Sequence, residues 1–138
     1  MKFLAVYRPS APEGTPPSQE HIVKMGELIQ EMTKAGVLLA TEGCLPSSKG
    51  ARVRRSGQKV TVTDGPFAET KELIAGFALF QVQSKEEAIE WTKRFLEVAG
   101  DGESEIRQIF EDGNCAPEAK TQREEVELHH QAQLAAQV

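Results

Sequence analysis

Asp64 is the residue of this sequence best placed to do chemistry, because it precedes a glycine–proline turn between two apolar runs. The run Val60–Thr63 ends at Asp64, and the next apolar run begins at Leu73. Gly65 has no side chain that would block a ligand, so the carboxylate can face a cleft. In a partly dry cleft a carboxylate can act as a general acid or base. The alternative is that Asp64 only holds the turn, by accepting main-chain N–H groups.

His21 is the second residue with the chemistry for proton transfer, because imidazole takes up and releases protons near neutral pH. It lies in the first turn of a helix predicted over residues 18–35, after the N-cap residue Ser18. Ile22 and Met25 begin the apolar stripe of that helix. The alternative is therefore a histidine on the solvent-exposed face.

Charged side chains near the turn could bind a substrate. Glu42 follows the apolar run 37–40, which reads as a buried strand, and a buried carboxylate needs a partner. Arg52 or Arg54 could form an ion pair with it, or either arginine could bind an anionic substrate.

Two further residues of this region are candidates for ligand contact. Ser47 offers a hydroxyl group in a loop that contains proline and glycine. Phe67 is expected to pack beneath the turn, and the alternative is an aromatic lid over a ligand.

Metal and nucleotide sites are not predicted. Cys44 and Cys115 have neither CxxC nor zinc-type spacing, so we expect two free thiols. His129 and His130 are adjacent but lack a third ligand, so no metal is expected. The sequence has no GxGxxG or Walker pattern, so no cofactor is expected.

Length and composition predict one globular domain in the cytoplasm. The chain has 138 residues, of which 39% are hydrophobic and 27% charged. Its net charge is -5 and its basic residues form no long block, which argues against nucleic acid as a partner. No run reaches the ~20 apolar residues that span a bilayer, and the N-terminus lacks a secretory signal pattern.

The order of predicted elements is strand, helix, strand, hairpin, strand, helix, strand. This order predicts an α+β ferredoxin-like fold (βαβ-βαβ), with the hairpin at about 51–63 as an insertion. Residues 112–138 carry a thin apolar stripe and are expected to form a helical or partly disordered tail. The predicted elements are strands at 3–7, 37–40, 51–55, 59–63, 74–82 and 104–111, and helices at 18–35 and from the capping box Ser84–Glu87 to Gly100.

These residues resemble the DGPF group of the YCII-related family. The likeness covers about residues 1–111 and leaves out the tail 112–138. It rests on the segments 35–39, 42–43, 46–53, 76–77 and 88–91, and above all on 63–72.

The resemblance implies a dimeric α/β barrel, in which two ferredoxin-like domains associate through their sheets. The open face of one four-stranded sheet requires such a cover, because two helices cover only the other face. In wider relatives, proton chemistry is attributed to a histidine near the start of the first helix and an aspartate in the turn. These positions match His21 and Asp64, and Tyr7 and Arg8 end the first strand where relatives place polar groups near the cleft.

Two functions are compatible with these residues. The first is a cofactor-independent small-molecule enzyme of lyase or isomerase type with an Asp64-based acid/base site. The second is a noncatalytic ligand-binding or regulatory protein, because the resemblance implies a link to extracytoplasmic-function sigma factors.

Overall fold

A computed structural model of the chain describes residues 1–111 and 117–137. The chain forms two units, Met1–Gln108 and Ile109–Val138. The elements are β1 (Lys2–Pro9), α1 (Gln19–Lys34), β2 (Leu38–Gly43), β3 (Ala51–Ser56), β4 (Lys59–Asp64), β5 (Gly76–Gln81), α2 (Lys85–Ala99), β6 (Gly102–Gln108) and α3 (Pro117–Ala136).

The first unit has the predicted ferredoxin-like topology. Its four-stranded sheet has the order β2-β5-β1-β6, and the hairpin β3–β4 forms a separate two-stranded sheet. β5 pairs antiparallel with β1 and with β2, and β6 pairs antiparallel with β1. Strands of the halves β1-α1-β2 and β5-α2-β6 thus alternate in the sheet, with β1 and β5 at its centre. This arrangement confirms the fold class.

Both helices of this unit begin at the caps that the sequence predicts. The hydroxyl of Ser18 accepts the main-chain N–H of His21 at 3.1 Å, and that of Ser84 accepts the N–H of Glu87 at 3.1 Å. Gly36 and Gly100, with φ of 72° and 97°, follow the two helix ends. Local capping chemistry therefore sets where α1 and α2 start and stop.

The hydrophobic core lies between one face of the sheet and the two helices. Its buried residues are Phe3, Ala5, Leu28, Met32, Val37, Phe80, Val82 and Ala88. The opposite face carries Leu4, Val6 and Leu79, which are half-buried, and Phe77, which is 39% exposed. Neither α1 nor α2 packs on this opposite face, which we call the open sheet face.

Three local expectations were wrong. The run 37–40 is not a buried strand: β2 is an edge strand with an irregular register between Leu38 and Ala40, and Leu39 is 48% exposed. The last strand ends at Gln108 and does not continue to residue 111. The alternation of Val53, Val60 and Val62 with polar residues predicts a hairpin with one solvent-exposed face. The hairpin is instead exposed on both faces, with Val53 70% exposed, because neither of its strands joins the main sheet.

The second unit contains α3, so the described part of the tail is helical. The tail residues 112–116 lie outside the described residues, as does residue 138. Among the described helices, none has the length and apolar character needed to cross a membrane.

Candidate functional site

A cavity of about 440 Å³ lies on the helix-covered side of the sheet. At one end of the sheet, β1 and β2 end and β5 and β6 begin, while α1 begins and α2 ends. The hairpin is inserted between β2 and β5, so its connections leave from this same end. The lining residues come from both helices and all four strands: Ala5, Tyr7, His21, Met25, Leu28, Ile29, Met32, Leu38, Thr41, Glu42, Gly43, Ala75, Gly76, Phe77, Ala78, Phe80, Thr92, Phe95, Ala99 and Ser104.

His21 lines this cavity and is half-buried. It continues the inward stripe of α1 through Met25, Leu28 and Met32, at the spacing of one helix face. Ile22, by contrast, is 50% exposed. The alternative of a solvent-exposed histidine was therefore wrong, because the inward face of α1 is rotated by about 50° from the expected stripe.

Tyr7 lines the cavity, and at the level of the sequence only the family resemblance pointed to it. It lies on the same side of β1 as Phe3 and Ala5, and its ring meets that of Phe95 edge to face at 5.1 Å. Burial, and then the negative charge of Asp101, raise the pKa of the Tyr7 hydroxyl. The alternation of Phe3, Ala5 and Tyr7 was the signal that could have identified it.

The predicted turn is held by a close contact between two segments of the main chain. A Cβ atom on Gly65 would lie 1.7 Å from the carbonyl oxygen of Ser47, so only glycine fits there. The Gly65 N–H donates to the carbonyl of Gly50 at 3.1 Å. The Phe67 N–H donates to Ser47 Oγ at 3.0 Å.

Ser47 also joins this turn to the loop before α1. Its hydroxyl donates to Glu13 Oε2, and its main-chain N–H donates to Glu13 Oε1, both at 2.7 Å. Three loops that are distant in sequence therefore meet at one serine. We call the contact of Glu13, Ser47 and Phe67 the serine junction.

Arg52 packs against the turn and does not bind Glu42. Its guanidinium carbon lies 4.0 Å from the centre of the Phe67 ring, and its Nη2 lies 3.3 Å from Glu72 Oε2. Phe67 is half-buried beneath this guanidinium. The expected ion pair of Glu42 with Arg52 or Arg54 was wrong: neither Glu42 nor Arg54 makes an ion pair among the described residues.

Asp64 is exposed at the end of β4, opposite Ala51, and does not line the cavity of this single chain. Within residues 1–111 and 117–137, no hydrogen bond or ion pair involves its side chain. The alternative in which its oxygens hold the turn was therefore wrong, since Ser47 and Gly50 do so.

The predicted site residues thus lie in three places. His21 and Glu42 line the cavity, but Glu42 is the cross-strand partner of Phe77, so its side chain lies on the open sheet face. Arg8 lies on the open sheet face, with its Nη1 3.5 Å from Glu105 Oε1. The remaining residues, Ser47, Arg52, Asp64, Gly65 and Phe67, belong to the turn or lie beside it.

Within residues 1–111 and 117–137, the side chains that could ligate a metal ion are scattered. No three His, Cys, Asp or Glu side chains come together there in an arrangement that could hold a metal ion. Cys44 is an exposed free thiol, and Cys115 lies outside the described residues.

The sequence is similar to a known protein family and to a bacterial protein. A family model described as the YCII-related domain matches residues 1–111. An uncharacterised protein of Rhizobium meliloti (strain 1021), R00369, is 36% identical over 64 residues, which are 46% of this chain and 52% of that protein. The match thus spans about half the length of that relative.

Among solved structures, 5-chloro-2-hydroxyhydroquinone dehydrochlorinase (TftG) of Burkholderia phenoliruptrix AC1100, in complex with 2,5-dihydroxybenzoquinone, is similar to this chain. The similarity has a TM-score of 0.45 and 12% identity, and covers 84% of this chain and 100% of that one. At this level the likeness carries no argument about function.

Proposed function

The chain belongs to the YCII-related family, and we propose that it is a cytoplasmic small-molecule enzyme of the DGPF group that moves a proton on its ligand. The reaction is of the lyase or isomerase type and uses side chains of the protein for proton transfer. The cavity supports this proposal, because about 440 Å³ lies within the range of small-ligand sites.

The observation that carries the proposal is a half-buried imidazole in a mostly apolar cavity. His21 is half-buried there beside Met25 and Leu28, which limit its contact with water. Isomerisation removes a proton from one atom of the substrate and returns a proton to another. Elimination removes a proton while a leaving group departs from the neighbouring atom. Imidazole can accept the proton in both reactions and can return it in the first. His21 is thus the proton carrier of the proposed reaction.

In this proposal Asp64 lies at the rim of the site and takes part in proton transfer from there. Its hairpin leaves from the end of the sheet where the cavity lies. A homodimer formed through the open sheet face would bury Phe77, Leu4 and Leu79, and would bring the hairpin of each subunit close to its partner. The other predicted contacts, Ser47, Arg52 and Phe67, hold this rim in shape.

Hydrogen–deuterium exchange tests the chemistry without a known substrate. The wild-type protein is incubated in D₂O with a panel of small carbonyl compounds, and loss of the C–H signal beside the carbonyl is followed by NMR. His21→Asn should slow exchange by about 10²- to 10⁴-fold, since that is the usual contribution of a general base. His130→Asn, a histidine of α3, is the matched control and should exchange as the wild type does.

The same assay examines Asp64. Asp64→Asn should lower exchange while the fold and the oligomeric state are retained. Equal exchange in the wild type and in His21→Asn would refute the proposed proton carrier, and equal exchange in Asp64→Asn would remove the aspartate from the mechanism.

Sedimentation tests the proposed dimer. Phe77→Glu places a charge on the open sheet face and should give a monomer. Ile22→Glu, on the exposed side of α1, is the matched control and should leave the dimer intact. A wild-type protein that sediments as a monomer would refute the dimer.

A noncatalytic ligand-binding regulator is the second candidate. It is favoured by the mostly apolar lining of the cavity, which suits the binding of a small ligand without a reaction. Its partner would be an extracytoplasmic-function sigma factor. Binding of panel compounds with no exchange in any variant, together with copurification of such a factor, would favour this function.

A further inference from the structure

The hydroxyl groups that line the cavity differ in the length of the hydrogen bonds that they donate to the main chain. Thr92 Oγ1 donates to the carbonyl of Ala88 at 2.8 Å, and Thr41 Oγ1 donates to that of Phe77 at 3.0 Å. These are ordinary lengths for a hydroxyl donor. Both threonine hydroxyls are therefore engaged by the main chain.

The Tyr7 hydroxyl makes only long hydrogen bonds to the main chain. It lies 3.4 Å from the carbonyl oxygen of Asp101 and 3.5 Å from that of Gly100. Hydroxyl hydrogen bonds usually have a length of about 2.7 to 2.8 Å, so both contacts are long and weak. The Tyr7 proton is thus available to a better acceptor.

Ser104 lies beside Tyr7 on the same face of the sheet. The two residues are cross-strand partners of β1 and β6, and both line the cavity. Side chains paired in this way have Cβ atoms about 4.5 to 5.5 Å apart. Among the described residues the Ser104 hydroxyl makes no hydrogen bond, although the residue is half-buried.

The surroundings of Tyr7 hold its ring firmly in place. The edge-to-face contact with Phe95 orients the ring. A Cβ atom on Gly102 would lie 2.9 Å from Tyr7 Cε2 and 2.6 Å from the carbonyl oxygen of Arg8, so glycine makes room for the ring. Because burial and Asp101 raise the pKa of the hydroxyl, Tyr7 remains a hydrogen-bond donor at neutral pH.

We propose that Tyr7, assisted by Ser104, is the oxygen-recognising end of the cavity and makes it select ligands with a carbonyl or carboxylate oxygen. This inference rests on the proposed function, because it requires the cavity to be the ligand site. It adds a specificity-determining pair to a site whose remaining lining is mostly apolar.

Two small probes of similar shape test the proposal. Cyclohexanone presents a carbonyl oxygen, and methylenecyclohexane replaces that oxygen with a CH₂ group. Each is titrated by protein NMR into the wild type, Tyr7→Phe and Ser104→Ala, and unfolding of each variant is measured in parallel. Tyr7→Phe should weaken cyclohexanone binding by roughly three- to tenfold and leave methylenecyclohexane binding unchanged, since only one hydrogen bond is lost. Ser104→Ala should have a smaller effect in the same direction.

The outcomes separate this inference from the proposed function. If both probes shift the signals of cavity residues but Tyr7→Phe changes their affinities equally or not at all, the tyrosine role is refuted and the cavity stands. If neither probe shifts those signals in the wild type, the ligand cavity and the tyrosine role are both refuted. A measurement on the wild type alone is independent of variant folding: the Tyr7 Cζ resonance should move with cyclohexanone and not with methylenecyclohexane.

Discussion

Replacing Gly65 with alanine should destabilise the protein strongly, although this residue lies in a half-buried loop. The added Cβ would lie 1.7 Å from the carbonyl oxygen of Ser47 and 2.5 Å from its carbonyl carbon. Both atoms belong to the main chain and cannot rotate away, so the two loops must separate. The hydrogen bonds from Gly65 N–H to Gly50 and from Phe67 N–H to Ser47 would then lengthen or break.

The expected loss follows from these contacts. Overpacking costs typically about 1 to 3 kcal/mol. Each lost hydrogen bond adds about 1 kcal/mol. We therefore expect Gly65→Ala to lower the free energy of unfolding by about 2 to 5 kcal/mol, and the melting temperature by roughly 3 °C for each kcal/mol.

Urea unfolding followed by circular dichroism measures this loss. Gly26→Ala is the matched control, because no atom lies within 4 Å of its added Cβ in α1. That control should be neutral or should gain up to about 1 kcal/mol, since alanine favours a helix. If the free energy of unfolding of Gly65→Ala lies within about 0.5 kcal/mol of the wild-type value, the close approach of these two main-chain segments is refuted.

The remaining predictions concern the serine junction, one ion pair and the hairpin. Ser47→Ala should lower the free energy of unfolding by about 1 to 3 kcal/mol, because it removes the hydroxyl that contacts Glu13 and Phe67. A double-mutant cycle with Glu13→Gln should show coupling between the two residues, and additive effects on the free energy of unfolding would contradict the serine junction. The hydrogen bond from Arg94 lowers the pKa of Glu31, so its stabilisation is present at neutral pH and is lost as the pH falls through that lowered pKa. Arg94→Gln should raise the pKa of Glu31 in an NMR titration, and an unchanged pKa would contradict the pair. Val62→Thr, at a side chain 65% exposed, should change the free energy of unfolding by less than about 0.5 kcal/mol in urea unfolding; a larger loss would indicate that the hairpin face is covered.

Much of the fold could be predicted because its signals are local. Ser18 and Ser84 mark helix starts through contacts within one turn, and Gly36 and Gly100 mark the ends. The two strand-helix-strand halves follow from the order of these elements. The edge position of β2 could not be read in the same way, because an apolar run looks alike in an edge strand and in a central one.

The candidate site was predicted less completely because its geometry is tertiary. The residues of α1 allow two overlapping stripes that share Met25 and Met32 and whose centres differ by about 50° of rotation, and only packing on the sheet selects the one that contains His21. Tyr7 gains its role from Phe95 and Ser104, which are far away in sequence. The choice of Glu72 over Glu42 as the partner of Arg52 likewise depends on where the loop after the hairpin runs.

The serine junction has a consequence for anyone who recombines parts of this protein with those of relatives. The segment 63–72 looks like a portable motif, yet its shape depends on Ser47 and, through that hydroxyl, on Glu13. A chimera that receives the segment alone would leave the Phe67 N–H without its acceptor. The smallest transferable unit is therefore discontinuous, and it consists of three short loops that have to be exchanged as a set.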